Sequence, residues 1–200
     1  VYKRQDLFRA DHLANRMRRN LEKAITLSGG TPARRWHDPL PLAEVIRAAA
    51  SEISEYDRVS TTRIEPVTLA GPAVTDLMHL LAELVENAAT FAPAETPVRV
   101  SGEHLADGYR ITVTDVGPGM TDDDLATAAE VMSRPEPPAG GTWWGLWATG
   151  RFAARQGIGV TLANGFDGGL VAEVLVPAHL IGHLSTDNDT TLDDLEPVIG

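Results

Sequence analysis

The chain has 200 residues, 43% hydrophobic and 22% charged, with a formal net charge of −11; this carries the core of one ordinary domain and excludes global disorder. The absence of cysteine excludes disulfides, thiolate metal sites and cysteine nucleophiles. Residues 1–35 hold nine Lys/Arg against three Asp/Glu, net +6, and the remainder eight against twenty-five, net −17, so the acidic body argues against nucleic acid as the main ligand.

No apolar run approaches the roughly 20 residues that span a bilayer, and no signal peptide is visible. The chain opens at Val1 without Met and reads as a fragment with upstream segments missing. A cytoplasmic location is expected for this part, with membrane attachment only through those segments. Lys3 and Lys23 are the only lysines and no G-x-x-x-x-G-K-[ST] occurs. A P-loop is therefore excluded, and nucleotide phosphates would need Mg²⁺, backbone N–H groups, helix N-termini or arginine.

In chain order, the first predicted element is a helix over 6–28. Ala10, Leu13, Met17, Leu21, Ala24 and Leu27 recur at steps of three or four, close to a heptad seam suited to a dimer or bundle. Gly29, Gly30 and Pro32 end it. Residues 31–39 read as a linker. Pro41 to Glu55 reads as an amphipathic helix, with Pro near its start. Arg58 to Glu65 reads as a strand and residues 73–90 as a strongly apolar helix opened by Gly71-Pro72. Val98–His104 and Tyr109–Val116 read as a hairpin around Ala106-Asp-Gly108. Residues 121–142, acidic and then rich in Pro and Gly, read as a mobile segment or lid. A helix over Trp144–Gln156 and strands over Val160–Ala163 and Leu170–Val176 follow. The last twenty residues hold five acids and no Lys or Arg and read as a disordered tail. This order predicts an α+β, two-layer α/β sandwich, with the sheet backed by helices on one face.

Two segments carry the chemistry. In Glu83-Leu-Val-Glu-Asn87 a carboxylate and a carboxamide oxygen lie one helical turn apart. A hard cation takes such oxygen ligands, and a carboxylate there can orient or deprotonate a nucleophile. The alternative is the ordinary polar face of an amphipathic helix. Asp115-Val-Gly-Pro-Gly119 puts a carboxylate at a strand end, where it can accept from an exocyclic amine while Gly117 and Gly119 let backbone approach a ligand. The alternative is a plain turn. Further on, Gly140-Gly141-Thr-Trp-Trp-Gly145-Leu146 precedes a helix and Gly168-Gly169 precedes a strand.

In this order the segments resemble the N-box and the successive glycine boxes of the GHKL (Bergerat-fold) ATP-binding superfamily. The resemblance covers roughly residues 40–177. It implies a mixed sheet backed by helices, with ATP and Mg²⁺ as ligands. Asp115 then selects adenine and Asn87 binds Mg²⁺. Glu83 acts as the base, and Gly117, Gly119, Gly141, Gly145, Leu146 and Gly168 approach the nucleotide. Asp11-His12-Leu-Ala-Asn-Arg16, Leu27-Ser-Gly-Gly30 and the stretch from Pro41 to Ile53 look like actinobacterial sensor histidine kinases of the nitrate/nitrite-sensor-like type. That likeness implies a partial dimerisation helix at 1–30 with His12 as candidate phosphoacceptor, a linker at 31–39, a catalytic domain at 40–180 and an acidic tail at 181–200. It also implies a homodimer through the N-terminal helix and a response regulator as partner. His79 reads as structural. Trp143 and Trp144 depart from the second glycine box, Thr90 replaces a frequent Lys or Arg, and Leu170 a frequent Thr. Arg134, Arg151 or Arg155 could compensate at the phosphates. Two other readings stay open: a degenerate nucleotide-binding regulatory module without kinase activity, and an anti-sigma-type serine kinase.

Overall fold

The computed structural model describes residues 36–139 and 142–182. The helix expected over 6–28, His12, Gly141 and the tail beyond Gly182 lie outside the described residues.

Five strands form the main sheet, in the order β2 (Val59–Ile64), β4 (Val98–Leu105), β5 (Gly108–Thr114), β7 (Leu170–Pro177), β6 (Gly159–Asn164). β2 runs parallel to β4 and every other pairing is antiparallel. The sheet is therefore mixed. A parallel neighbour needs a long crossover, and here the crossover is the helix expected over 73–90. Alternation decides the faces: Tyr109, Ile111 and Val113 of β5, and Ala172, Val174 and Val176 of β7, are buried.

Among the described residues four helices cover that face. α1 (Leu42–Ser51) buries Leu42, Val45, Ile46 and Ala49, the stripe expected of an amphipathic helix. It stops short of Glu55. The amides of Glu52 and Ile53 bond the carbonyls of Ala49 (3.2 Å) and Ala50 (3.3 Å), three-residue steps that tighten and end the turn. α2 (Gly71–Phe91) is the central helix, with Pro in its first turn and Leu77, Leu80, Leu81, Leu84 and Val85 buried. α1 and α4 (Trp144–Gln156) pack on either side of it, and α3 (Asp122–Ser133) packs on α4. The end of α2 is held from outside. The Arg58 guanidinium donates to the carbonyls of Ala89 (2.9 Å), Pro93 (2.9 Å) and Thr96 (3.1 Å), placing a cation on the negative end of the helix dipole.

Residues 121–142, expected as a mobile segment or lid, contain α3. Thr121 caps that helix: its hydroxyl accepts from the Asp124 amide at 3.1 Å and donates to the Asp124 carboxylate at 2.8 Å. Asp122, Asp123 and Asp124 occupy the first turn, where the helix dipole favours negative charge. The acidic run is a helix start.

A second, three-stranded sheet joins β1 (Leu40–Pro41), β3 (Thr68–Leu69) and β8 (Ile181–Gly182). Within the stretch expected as linker, Trp36 packs against the core. Ile181 and Gly182, expected in the tail, pair with β3. Among the described residues no helix is long and apolar enough to cross a membrane.

Tyr109 shows how tightly the sheet is built. It is fully buried, its hydroxyl donates to the Glu65 carbonyl at 2.8 Å, and its ring lies over Gly102, where a Cβ would meet the hydroxyl at 2.6 Å. Burial, with the charges of Glu65 and Glu103, pushes its pKa up to about 12 from 10.0. A raised folded pKa means that the neutral phenol stabilises the fold fully below pH 10. That contribution, on the order of 2 kcal/mol, is lost as pH climbs toward 12. Tyr109→Phe is expected to cost about 1 kcal/mol at neutral pH, through the abandoned carbonyl, and to flatten the alkaline loss between pH 10 and 12. Denaturant titrations of both proteins across that range check it.

Candidate functional site

A cavity of about 290 Å³ opens between the sheet, α2, α3 and the start of α4, near the lower end of the ~300–1,000 Å³ typical of ligand pockets. Its floor follows from strand register. Val113, Ala172 and Leu162 stand in one row across β5, β7 and β6 and all three line the cavity. The small Ala172 between two larger residues leaves a slot. Leu84, Asn87, Ala88 and Phe91 of α2 form one wall; Pro118, Gly119, Met120 and Asp124 form another.

Asp115 stands at the end of β5 and is only 5% exposed. Its backbone amide donates to the Leu170 carbonyl at 3.1 Å, continuing the β5–β7 ladder by one residue. Its carboxylate Oδ1 accepts from the amides of Gly117 (2.7 Å) and Leu170 (3.3 Å). Oδ2 takes no hydrogen bond among the described residues and Asp115 lines the cavity. A buried carboxylate is tolerated only with such donors. Two glycines make the arrangement possible. A Cβ at Gly117 would press on Asp115 Oδ1 (2.9 Å) and the Phe91 carbonyl (3.0 Å), and one at Gly169 would overlap the Asp115 carbonyl.

Glu83 and Asn87 share one face of α2, and the first turn of α4 lies against it. A Cβ at Gly145 would meet Glu83 Oε2 at 2.6 Å and Asn87 Nδ2 at 3.9 Å. Glycine here lets a helix N-terminus, with its free N–H groups, reach the carboxylate and carboxamide. Asn87 lines the cavity and has no hydrogen bond among the described residues. Its half-exposed carboxamide is in a position to ligate.

Asn87, Asp115, Gly119, Gly145 and Leu146 thus line one cavity, with Glu83 and Gly117 directly behind its walls. Gly168 does not line it. It takes φ +94° in the turn between β6 and β7, and the glycine that touches the Asp115 segment is its neighbour Gly169. Trp143 lines the cavity and packs on the core, whereas Trp144 stacks on Trp147 with centroids 4.6 Å apart. His79 is buried against Phe152, with Nδ1 3.5 Å from Glu52. Thr90 does not line the cavity.

Among the described residues no Lys or Arg lines the cavity. Arg134 pairs with Glu130, Arg151 donates to the Arg134 carbonyl at 3.3 Å, and Arg155 lies 3.5 Å from the Asp76 carboxylate. These are other roles than the phosphate compensation anticipated for them. Met120, Phe91 and Asp124, which the motifs did not single out, complete the walls together with Thr142 of the second glycine box. The Thr121 cap pattern could have revealed Asp124; only tertiary contact reveals the rest. Among the described residues no group of three or more His, Asp or Glu is placed to hold a metal ion. A cation here would depend on Asn87 together with ligand oxygens, a pattern that suits Mg²⁺.

Comparison with known proteins agrees with this geometry. The family profile described as "Histidine kinase-, DNA gyrase B-, and HSP90-like ATPase" matches residues 73–180, the span from the start of α2 to the end of β7 and the turn after it. No curated protein sequence matches the chain. Among solved structures, a mycobacterial sensor histidine kinase, MprB, superposes with TM-score 0.60 at 19% identity, over 74% of this chain and 99% of that one. The catalytic domain of the histidine kinase ThkA, in a nucleotide-free form, gives 0.56 at 17%, over 70% and 95%. Full-length ShkA in complex with AMPPNP gives 0.61 at 16%, over 92% and 40%. Such identities speak for the fold alone. With more than half of the chain matched by the profile, and Asn87, Asp115 and Gly145 gathered at one cavity, the chain belongs to the family of histidine kinase-, DNA gyrase B- and HSP90-like ATPases.

Proposed function

We propose that the chain is the ATP-binding catalytic domain of a two-component sensor histidine kinase, of the actinobacterial nitrate/nitrite-sensor-like type. The observation that carries this is that Asn87 and Asp115, far apart in sequence, bring polar atoms without partners to one slot floored by Val113, Ala172 and Leu162.

In this reading the purine lies on Ala172 between Val113 and Leu162. Its exocyclic amine donates to Asp115 Oδ2, while the backbone amides hold Oδ1 still. Asn87 ligates Mg²⁺ through its carboxamide oxygen. The ion, when bound, neutralises charge on the phosphates. The first turn of α4, at Gly145 and Leu146, directs N–H groups at the same phosphates. Glu83 orients the attacking imidazole and holds its proton as a nitrogen–phosphorus bond forms to the γ-phosphorus, the bridging P–O bond breaks and ADP leaves. The phosphoryl group then passes to an aspartate of a response regulator.

Residues 40–180 form the catalytic domain in this scheme. Residues 1–30 contribute a dimerisation helix bearing His12 as candidate phosphoacceptor, 31–39 link the two although Trp36 already packs on the core, and 181–200 form an acidic tail whose first two residues complete the small sheet. The protein works as a homodimer in the cytoplasm. A second reading, nucleotide binding without transfer, is favoured by one observation: Trp143 lines the cavity and no cationic side chain among the described residues does.

Three expected outcomes test the assignment. Asp115→Asn retains the Oδ1 acceptor but presents an N–H₂ to the purine, so Mg-ATP affinity is expected to fall about a hundredfold and preference to shift toward ITP, whose carbonyl accepts. Calorimetric titration with both nucleotides measures it. With no lining cation among the described residues, ATP affinity is expected to drop at least about tenfold on chelation of Mg²⁺, and Asn87→Ala to abolish that difference; the same titrations with and without chelator decide. Incubation with γ-labelled Mg-ATP is expected to give acid-labile, base-stable label. Tight binding without label would favour the second reading, and acid-stable label on an added protein would favour a serine kinase.

A further inference from the structure

We propose that Asn164 is a positioning residue of this cavity, setting the wall from Met120 to Asp124 through a two-point hydrogen bond to the Met120 backbone. The inference rests on the reading of the cavity as a nucleotide site.

Asn164 is the last residue of β6, the edge strand of the main sheet, opposite Leu170. Its Oδ1 accepts from the Met120 amide at 2.8 Å and its Nδ2 donates to the Met120 carbonyl at 2.8 Å. Met120 offers one backbone donor and one acceptor, so only one orientation of the carboxamide satisfies both. The side chain thereby does at the sheet edge what another strand's backbone would do. Gly119 permits the approach: it takes φ +72°, and a Cβ there would meet Asn164 Oδ1 at 2.6 Å.

The β6–β7 hairpin therefore grips the loop between β5 and α3 at both ends. Leu170 holds Asp115 at one end and Asn164 holds Met120 at the other. Among the described residues no other hydrogen bond ties residues 118–121 to the sheet. Beyond Met120 the chain runs at once into Thr121, which caps α3, and Asp124, which lines the cavity. The caps inside α3 decide that it is a helix. Asn164 decides where that helix starts relative to Asp115. Asn164 itself does not line the cavity, so it acts on a ligand only through Met120 and the residues after it.

The test uses the full chain and Mg-ATP, measuring equilibrium affinity, dissociation rate and thermal midpoint. Asn164→Ala is expected to weaken Mg-ATP binding about tenfold, chiefly through faster dissociation and with little change in midpoint. In a Met120→Ala background the same loss of about tenfold is expected, because both hydrogen bonds run to the backbone of residue 120 and survive the change of side chain. Wild-type affinity in a folded Asn164→Ala, or a loss that vanishes without the Met120 side chain, would overturn the inference. Should Asn164→Ala fail to fold, Asn164→Asp keeps the size and the acceptor but sets a carboxylate oxygen against the Met120 carbonyl. It is expected to show the same fast dissociation, and wild-type dissociation in that variant overturns the inference equally. Absence of Mg-ATP binding by the unmodified chain would instead overturn the nucleotide reading itself.

Discussion

Asp115 places a carboxylate at a nearly closed position where β5 leaves the sheet. A group of that kind is stable only if donors surround it. Here the donors are the backbone amides of Gly117 and Leu170, and much of the local architecture follows from keeping them there. Gly117 and Gly169 lack side chains because those side chains would occupy the space of the carboxylate or its own carbonyl. The ladder between β5 and β7 runs one residue past the end of β5 to bring Leu170 into reach. With one oxygen immobilised, the carboxylate that lines the cavity is held in a fixed orientation. That geometry discriminates a hydrogen-bond donor from an acceptor on a ligand, since a fixed acceptor cannot rotate away from a mismatch.

The rest of the site is arranged around that fixed point by helix packing. Gly145 lets the N-terminus of α4 come against Glu83 and Asn87; any larger residue would hold the helix off α2. The outcome is a cavity with an apolar floor and polar groups at two ends, acidic on balance. Asp115 and Asp124 line it, and no Lys or Arg among the described residues does. A polyanion entering such a site meets repulsion unless a cation accompanies it. Electrostatics thus couples any phosphate chemistry here to a metal ion more strongly than a site with a basic lining would require.

Much of this was legible in the residues. Period-two alternation located β4 and β5 within a residue or two, the apolar runs on either side of the turn at 164–169 located β6 and β7, and the apolar density of 73–90 located α2. Local physics also explains the differences. The apolar period ran past the true end of α1 because Ile53 is buried although the helix has already closed with three-residue bonds. The acidic run at 122–124 looked unstructured from composition, yet with Thr121 before it the same charges are a helix start. Two-residue strands such as β1, β3 and β8 carry no periodicity to detect, since their pairing depends on partners distant in sequence. Of the paired glycines 168 and 169, sequence could not say which faces Asp115, because both take positive φ and only the direction of the turn separates them.

The sequence by itself determined which chemical groups exist and how they are spaced locally: a carboxylate one helical turn before a carboxamide, and a second carboxylate ahead of two glycines. It determined the two-layer class through the periods of its apolar residues. Only the tertiary structure decided that Asn87 and Asp115 share a cavity. It also showed that Arg134, Arg151 and Arg155 serve other partners, and that Asn164 holds Met120. The physical reason is range. Helix and strand periods reflect contacts between near neighbours, which the order of residues encodes directly. The slot above Ala172 and the grip on Met120 arise from strand register and helix approach, set by the packing of the whole core.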